Sequence, residues 1–143
     1  MIDPDRATAV VFEPLTVTVD RGRLAFFASA TGQTDPVYSD VDAAKAAGHP
    51  DVPVPPTFLF GLEMERPEAF GWLEELGVDL RRVLHGEQSF TYHALAHAGD
   101  TVTLRPRITG AYAKKDLDFV VKRTEITRGG ERIADATTTI VVR

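Results

Sequence analysis

From Val83 to the end, the chain alternates apolar and polar residues in one run after another, and this limits its fold more than any other feature. Leu84, Gly86, Gln88, Phe90 and Tyr92 share one face of a predicted strand, and Val102, Leu104 and Ile108 share one face of the next. Leu117, Phe119 and Val121 continue the pattern in a third. Gly129-Gly130 is a two-residue hairpin signal, and Ile133 to Val142 is a final run rich in β-branched residues. Consecutive strands joined by tight turns make an antiparallel sheet, whose buried face needs an apolar cover. That cover stands upstream. Phe58, Leu59, Phe60, Leu62 and Met64 are apolar nearly all round, so Thr57 to Glu65 reads as a buried helix. Four prolines between His49 and Pro56 exclude helix and central strand just before it. The predicted class is α+β, with a long antiparallel sheet curled around a central apolar helix.

The earlier part of the chain supplies smaller elements. Leu15, Val17 and Val19 alternate as a short half-buried strand. Asp20 is placed to cap a helix running through Thr31, with Leu24, Phe27, Ala28 and Thr31 on one face and Gly32 as its stop. Asp40 or Asp42 caps a second short helix, Ala43 to Ala47, and a third helical piece spans Glu68 to Leu76. Met1 to Glu13 reads as a loose lead-in, with Val10-Val11-Phe12 docking on a neighbour. Residues 1–143 fit one domain long enough to bury a core, with no repeat, linker or low-complexity tract.

Composition narrows the function classes. A net charge of −5 without any dense Lys/Arg run argues against nucleic acid as a partner. The absence of cysteine removes disulfides, thiolate catalysis and Cys-zinc sites together. No apolar run approaches the roughly 20 residues needed to span a bilayer, and Met1 to Arg6 carries no secretory signal pattern. The expectation is a soluble cytoplasmic protein that does not act at a membrane.

Chemistry concentrates in Thr31-Gly32-Gln33-Thr34-Asp35-Pro36-Val37-Tyr38-Ser39-Asp40, a polar turn set before the buried helix. Asp35 either caps the turn at Pro36 or enters a cleft as a proton-transfer group with Tyr38 as donor. His85 is the best titratable candidate elsewhere, because only histidine changes charge near neutral pH unaided. It either packs at a subunit contact or serves a site, and period two sets Glu87 on its face. His93 and His97 flank a turn and read as exposed, His49 receives no role, and the histidine spacing implies no metal site and no cofactor. At the start of the buried helix Pro56 has no N–H, so Thr57 and Phe58 are the candidate donors to a carbonyl gaining negative charge. Pro56 alternatively only starts the helix.

Three separated stretches carry a family likeness in the same order. They are Ala30 to Asp40, Pro55-Pro56-Thr57-Phe58, and Val83-Leu84-His85-Gly86-Glu87-Gln88-Ser89-Phe90-Thr91-Tyr92 followed by Ala98-Gly99-Asp100-Thr101. With them, about Leu15 to the end resembles the MaoC-like hot-dog hydratases and dehydratases. The likeness is narrower to N-terminal-type MaoC dehydratase domains, including the non-catalytic-type subunits of (3R)-hydroxyacyl-carrier-protein dehydratases. The family motif is Gly-Asp-x-Asn-Pro-x-His, in which the Asp and His act as base and acid on water and on the carbon next to a thioester. Here Gly32 and Pro36 match, while Gln33 stands in place of the Asp, Asp35 of the Asn, and Tyr38 of the His. Gln does not titrate, and a phenol with an ordinary pKa of about 10 is a poor base at neutral pH.

The resemblance therefore implies an acyl-CoA or acyl-carrier-protein thioester as ligand, bound by Gln33, Pro56, Thr57 and Phe58, with Phe58 either core or lining of an acyl tunnel. With such a ligand, Arg105, Arg107, Lys114, Lys115, Lys122 and Arg123 offer either a surface for phosphopantetheine, CoA or an acidic carrier protein, or simply a solvated face. It implies a homodimer, or a heterodimer with a catalytic MaoC-like subunit. Three activities follow from it. The chain is a dehydratase or hydratase subunit whose partner supplies the acid and base, or a homodimeric hydratase using Asp35, Tyr38 and His85. Otherwise it is a non-catalytic acyl-thioester binder or a hot-dog thioesterase.

Overall fold

The computed structural model describes residues 1–143. Five antiparallel strands, β1 (Leu15–Thr18), β2 (Val83–Tyr92), β3 (Thr101–Lys114), β4 (Leu117–Arg128) and β5 (Glu131–Val142), form one sheet in the order β1-β3-β4-β5-β2. β4 and β5 meet at Gly129-Gly130, both at positive φ, as a tight hairpin requires. β1 and β2 form the two edges of the sheet.

The helices are short. α1 (Pro4–Thr8), α2 (Arg21–Ala30), α3 (Val41–Ala46), α4 (Leu59–Glu63) and α5 (Gly71–Glu75) lie before β2 in the chain. α2 begins at Asp20, whose carboxylate accepts the Arg23 N–H, and Leu24 and Ala28 carry its buried stripe. α3 is capped by Asp40, so it starts two residues before the predicted Ala43. The central apolar helix predicted over Thr57 to Glu65 is shorter, because Thr57 takes φ +73° and cannot join it. The third predicted piece, Glu68 to Leu76, contracts to α5 for the same reason: Glu68 sits at φ +52°.

Two apolar clusters lie on the inner face of the sheet. In one, Leu59 and Leu62 of α4 pack with Leu24, Val102, Leu104 and Ile126. Each of these fully buried side chains contributes about 1.5–3 kcal/mol relative to exposure. In the other, Ile2, Ala7, Trp72 and Leu73 cover Ile108, Val120 and Ile140. The expected loose lead-in is therefore a short helix, α1, capped by Asp3 and buried at Ala7. Its signal was weak because the segment offers only two buried side chains, Ile2 and Ala7.

Two strands present faces other than those the alternation suggested. On β4 Val120, Lys122, Thr124 and Ile126 are buried in alternation, with Thr127 buried after a register shift, so Leu117, Phe119 and Val121 stand on the face opposite the first four. On β2 the register shifts between His85 and Glu87. The extra residue, Gly86, moves His85 onto the face of Gln88 and Phe90 and leaves Leu84 and Glu87 on the other. His85 and Glu87 are thus not face partners.

Candidate functional site

The polar turn after α2 closes on itself. Gln33 Oε1 accepts the Asp35 N–H at 3.1 Å, and Asp35 Oδ1 accepts the Val37 N–H at 3.1 Å. This caps the 3-10 turn Pro36–Tyr38 in the way an Asp before a proline favours. Gln33 and Asp35 are both exposed. Tyr38 is half-buried and lines an apolar crevice of about 200 Å³ with Val54, Pro56, Leu59, Tyr92 and Ile133. Tyr38 and Tyr92 are the titratable groups of that crevice.

The approach to α4 is hydrogen-bonded within the chain. Thr57 donates its N–H to the Tyr92 hydroxyl at 2.8 Å, and Phe58 donates its own to the Pro55 carbonyl at 3.3 Å. Phe58 is 5% exposed and meets Phe27 edge-on, with ring centroids 5.4 Å apart. Its side chain belongs to the core.

His85 lies elsewhere, toward the other end of β2. It lines a second cavity of about 220 Å³ with Phe60, Met64, Leu80, Lys122 and Thr138. Its ring packs on Phe60 with centroids 4.8 Å apart, and Nε2 lies 3.2 Å from Gln88 Oε1. The same oxygen accepts the Thr138 hydroxyl at 2.6 Å. Within one chain, then, Asp35 and Tyr38 share a turn, while His85 faces a separate cavity.

Lys122, in the wall of that cavity, belongs to a polar pair missed by sequence reasoning. Lys122 is buried and hydrogen-bonds Glu63 of α4, which is buried as well. Lys122 does not join the basic surface with Arg105, Arg107 and Arg123, which are exposed. The alternation of Leu117, Phe119 and Val121 had placed it outside. One signal existed: Glu63 is the single charged residue within the apolar run Phe58 to Met64.

The remaining histidines are paired. His93 Nε2 lies 2.9 Å from Asp135 Oδ2. Burial raises the Asp135 pKa, but the His93 and Arg123 hydrogen bonds outweigh it and hold the carboxyl below the usual range. His49 Nδ1 lies 3.2 Å from His97 Nε2, and His97 is half-buried rather than exposed. No group of three or more His, Cys, Asp or Glu side chains converges as a metal site would require. No helix is long and apolar enough to cross a membrane.

A family model, the FAS1-like, dehydratase domain region, matches residues 6–136. A UPF0336 protein of Streptomyces coelicolor is 37% identical over 126 residues, which make up 87% of this chain and 84% of that protein. Among solved structures, the C-terminally truncated HadBC complex of Mycobacterium tuberculosis, a (3R)-hydroxyacyl-ACP dehydratase, superposes with a TM-score of 0.76 at 26% identity. The match covers 92% of this chain and 93% of that one. A MaoC-like dehydratase superposes with a TM-score of 0.80 at 24% identity over 95% of this chain and 43% of that one. The sheet wrapped on a short apolar helix is the hot-dog fold of these dehydratases.

Proposed function

The chain belongs to the FAS1-like, dehydratase domain region family, and on that premise we propose that it is a subunit of a (3R)-hydroxyacyl-thioester dehydratase, the reverse reaction being hydration of an enoyl thioester. In this reading it shapes the acyl-binding site while a partner subunit supplies the acid and base. One observation carries the proposal: Gln33 Oε1 and Asp35 Oδ1 accept the turn's own N–H groups, both side chains stand exposed outside the crevice, and Tyr38 faces that apolar crevice. Removing and adding water at a thioester needs a base and an acid with pKa values near the working pH. Gln33 supplies neither. The likeness to HadBC, itself a complex, supports a two-subunit arrangement.

The experiment is a hydration assay on crotonyl-CoA and longer enoyl-CoA thioesters. The purified chain alone is inactive, and activity appears on adding a hot-dog subunit that carries Gly-Asp-x-Asn-Pro-x-His. Turnover by the chain alone would overturn the two-subunit reading. Thioester binding without turnover beside every such partner would point to a binder, and release of free thiol to a thioesterase.

A second reading draws on β2. It forms an edge of the sheet, with His85 and Tyr92 toward its two ends. An antiparallel join of two β2 edges about a two-fold axis at Ser89, with Gly86 bulged out, would set His85 of one copy opposite Tyr92 of the other. A homodimer of this kind would add a titratable group to the Tyr38 crevice, making Asp35, Tyr38 and His85 one site. In that case the chain turns over by itself, and Asp35→Asn or His85→Ala lowers the rate about a hundredfold or more.

A further inference from the structure

Both amides expected to face a substrate carbonyl are engaged inside the chain. Phe58 donates to the Pro55 carbonyl at 3.3 Å, and Thr57 donates to the Tyr92 hydroxyl at 2.8 Å. The second bond passes the donor role on. A phenol oxygen that accepts one bond still carries a hydrogen to give, and no acceptor in the chain takes it. The bond it receives also polarises the one it can make.

That hydroxyl is open to a ligand. Tyr92 is 48% exposed and stands in the wall of the 200 Å³ crevice. Thr57, which it bonds, is exposed, and so is the adjoining Pro56, which lines the same crevice. Val54, Leu59, Leu95 and Ile133 make the wall apolar, and no lysine, arginine or histidine lines it. The hydroxyl is also held in place. Phe90 stacks on the Tyr92 ring with centroids 5.6 Å apart and planes 8° apart. Thr57 presents its amide from φ +73°, a strained conformation for a β-branched residue and one that clusters at functional sites. Meeting water alone would require neither the stack nor the strain.

We propose that the Tyr92 hydroxyl, set by the Thr57 amide, donates to the carbonyl oxygen of a thioester whose acyl group enters this crevice. The proposal rests on the acyl-thioester reading above and deepens it by naming the group that holds the carbonyl. A carbonyl only accepts, as the free hydrogen of Tyr92 requires, and it is neutral, as a wall without a cation favours over a carboxylate. When the partner subunit's base takes the proton from the carbon next to the thioester, the electron pair left behind gathers on that oxygen. A donor already in place stabilises this charge without reorganising.

Calorimetric titration of the full chain, with any subunit that co-purifies, compares decanoyl-CoA with S-decyl-CoA, the thioether that lacks the carbonyl oxygen. The thioester binds about fivefold or more tightly, the gain expected of one hydrogen bond. In Tyr92→Phe, shown folded by its melting curve, that ratio falls to about one. The variant keeps the ring and frees the Thr57 amide, so a ratio that holds or rises gives the role to the amide and refutes the proposal. Infrared spectra of decanoyl-CoA labelled with carbon-13 at its carbonyl supply a second readout. The bound carbonyl stretch lies lower in the parent than in Tyr92→Phe, and equal frequencies would refute the bond. If the two ligands bind the parent alike, the carbonyl site is refuted and the acyl-thioester reading stands. If neither binds, both are refuted.

Discussion

The Thr57 amide donates a 2.8 Å hydrogen bond to the Tyr92 hydroxyl, tying the approach to the central helix to the end of edge strand β2. Thr57 makes this bond at φ +73°, where a β-branched residue is a strained outlier. Such positions cost about 1–3 kcal/mol, and glycine adopts them freely. The bond uses the backbone, so it survives removal of the side chain. Thr57→Gly therefore raises stability by about 1 kcal/mol, after part of the relief is lost to the greater chain entropy of glycine when unfolded. A thermal melt reads the change, and a lowered midpoint would show that Thr57 carries no such strain.

Gly86 controls where His85 points. A Cβ there would stand 2.6 Å from Val141 Cγ2 and 3.2 Å from the Thr139 carbonyl oxygen. A valine γ-methyl is short and stiff, and a strand carbonyl is held by its ladder, so neither yields cheaply. Gly86→Ala destabilises by about 1–3 kcal/mol, the usual range for overpacking, as read by urea denaturation. A neutral outcome would mean that the bulge is free to slide.

The bulge also marks where sequence reasoning stopped. Asp20 capping α2, the Gly129-Gly130 hairpin and the inward face of Val102, Leu104 and Ile108 were legible because each rests on local chemistry or an unbroken period of two. Gly86 and Lys122 defeated the same rule for different reasons. An extra residue in β2 inverts every side chain before it, and although a glycine inside a strand is a bulge signal, the alternation counted Gly86 as an in-register position beside Leu84 and Gln88. On β4 both faces carry apolar residues, so alternation has two solutions, and the charge on Lys122 pointed to the wrong one. The motif turn was readable down to the Asp35 cap, because the bond is made within two residues. The Tyr92 bond to Thr57 spans 35 positions and was not.

Lys122 and Glu63 depend on each other for stability. Breaking a buried pair by removing one partner leaves a charge without water or counter-charge, which costs about 3–5 kcal/mol. Lys122→Met and Glu63→Leu each show a loss of this size in denaturant unfolding. The double variant returns to within about 1 kcal/mol of the parent, because volume is kept and both charges are gone. Additive losses would show that the two side chains do not act as a pair.

His97 gives the chain a stability that depends on pH. Burial holds its pKa below the ordinary value, nearby Asp100 and Asp51 oppose that, and His49 and Arg128 reinforce it. The His49 contact at 3.2 Å has the same consequence, since two protonated rings would set N–H against N–H. A histidine with a depressed folded pKa takes up its proton more readily when unfolded. Its contribution is therefore complete above about pH 6.5, the ordinary value, and is lost as pH falls through the lower folded value. The acidic groups act in a different range: the Arg21 hydrogen bond holds the Asp51 carboxyl at about 2, so its contribution survives until far more acid conditions. Between pH 7 and 5 the melting temperature of the parent falls more steeply than that of His97→Gln, and the difference between the two curves belongs to His97. Parallel curves over that interval would mean that His97 titrates alike in the folded and unfolded chain.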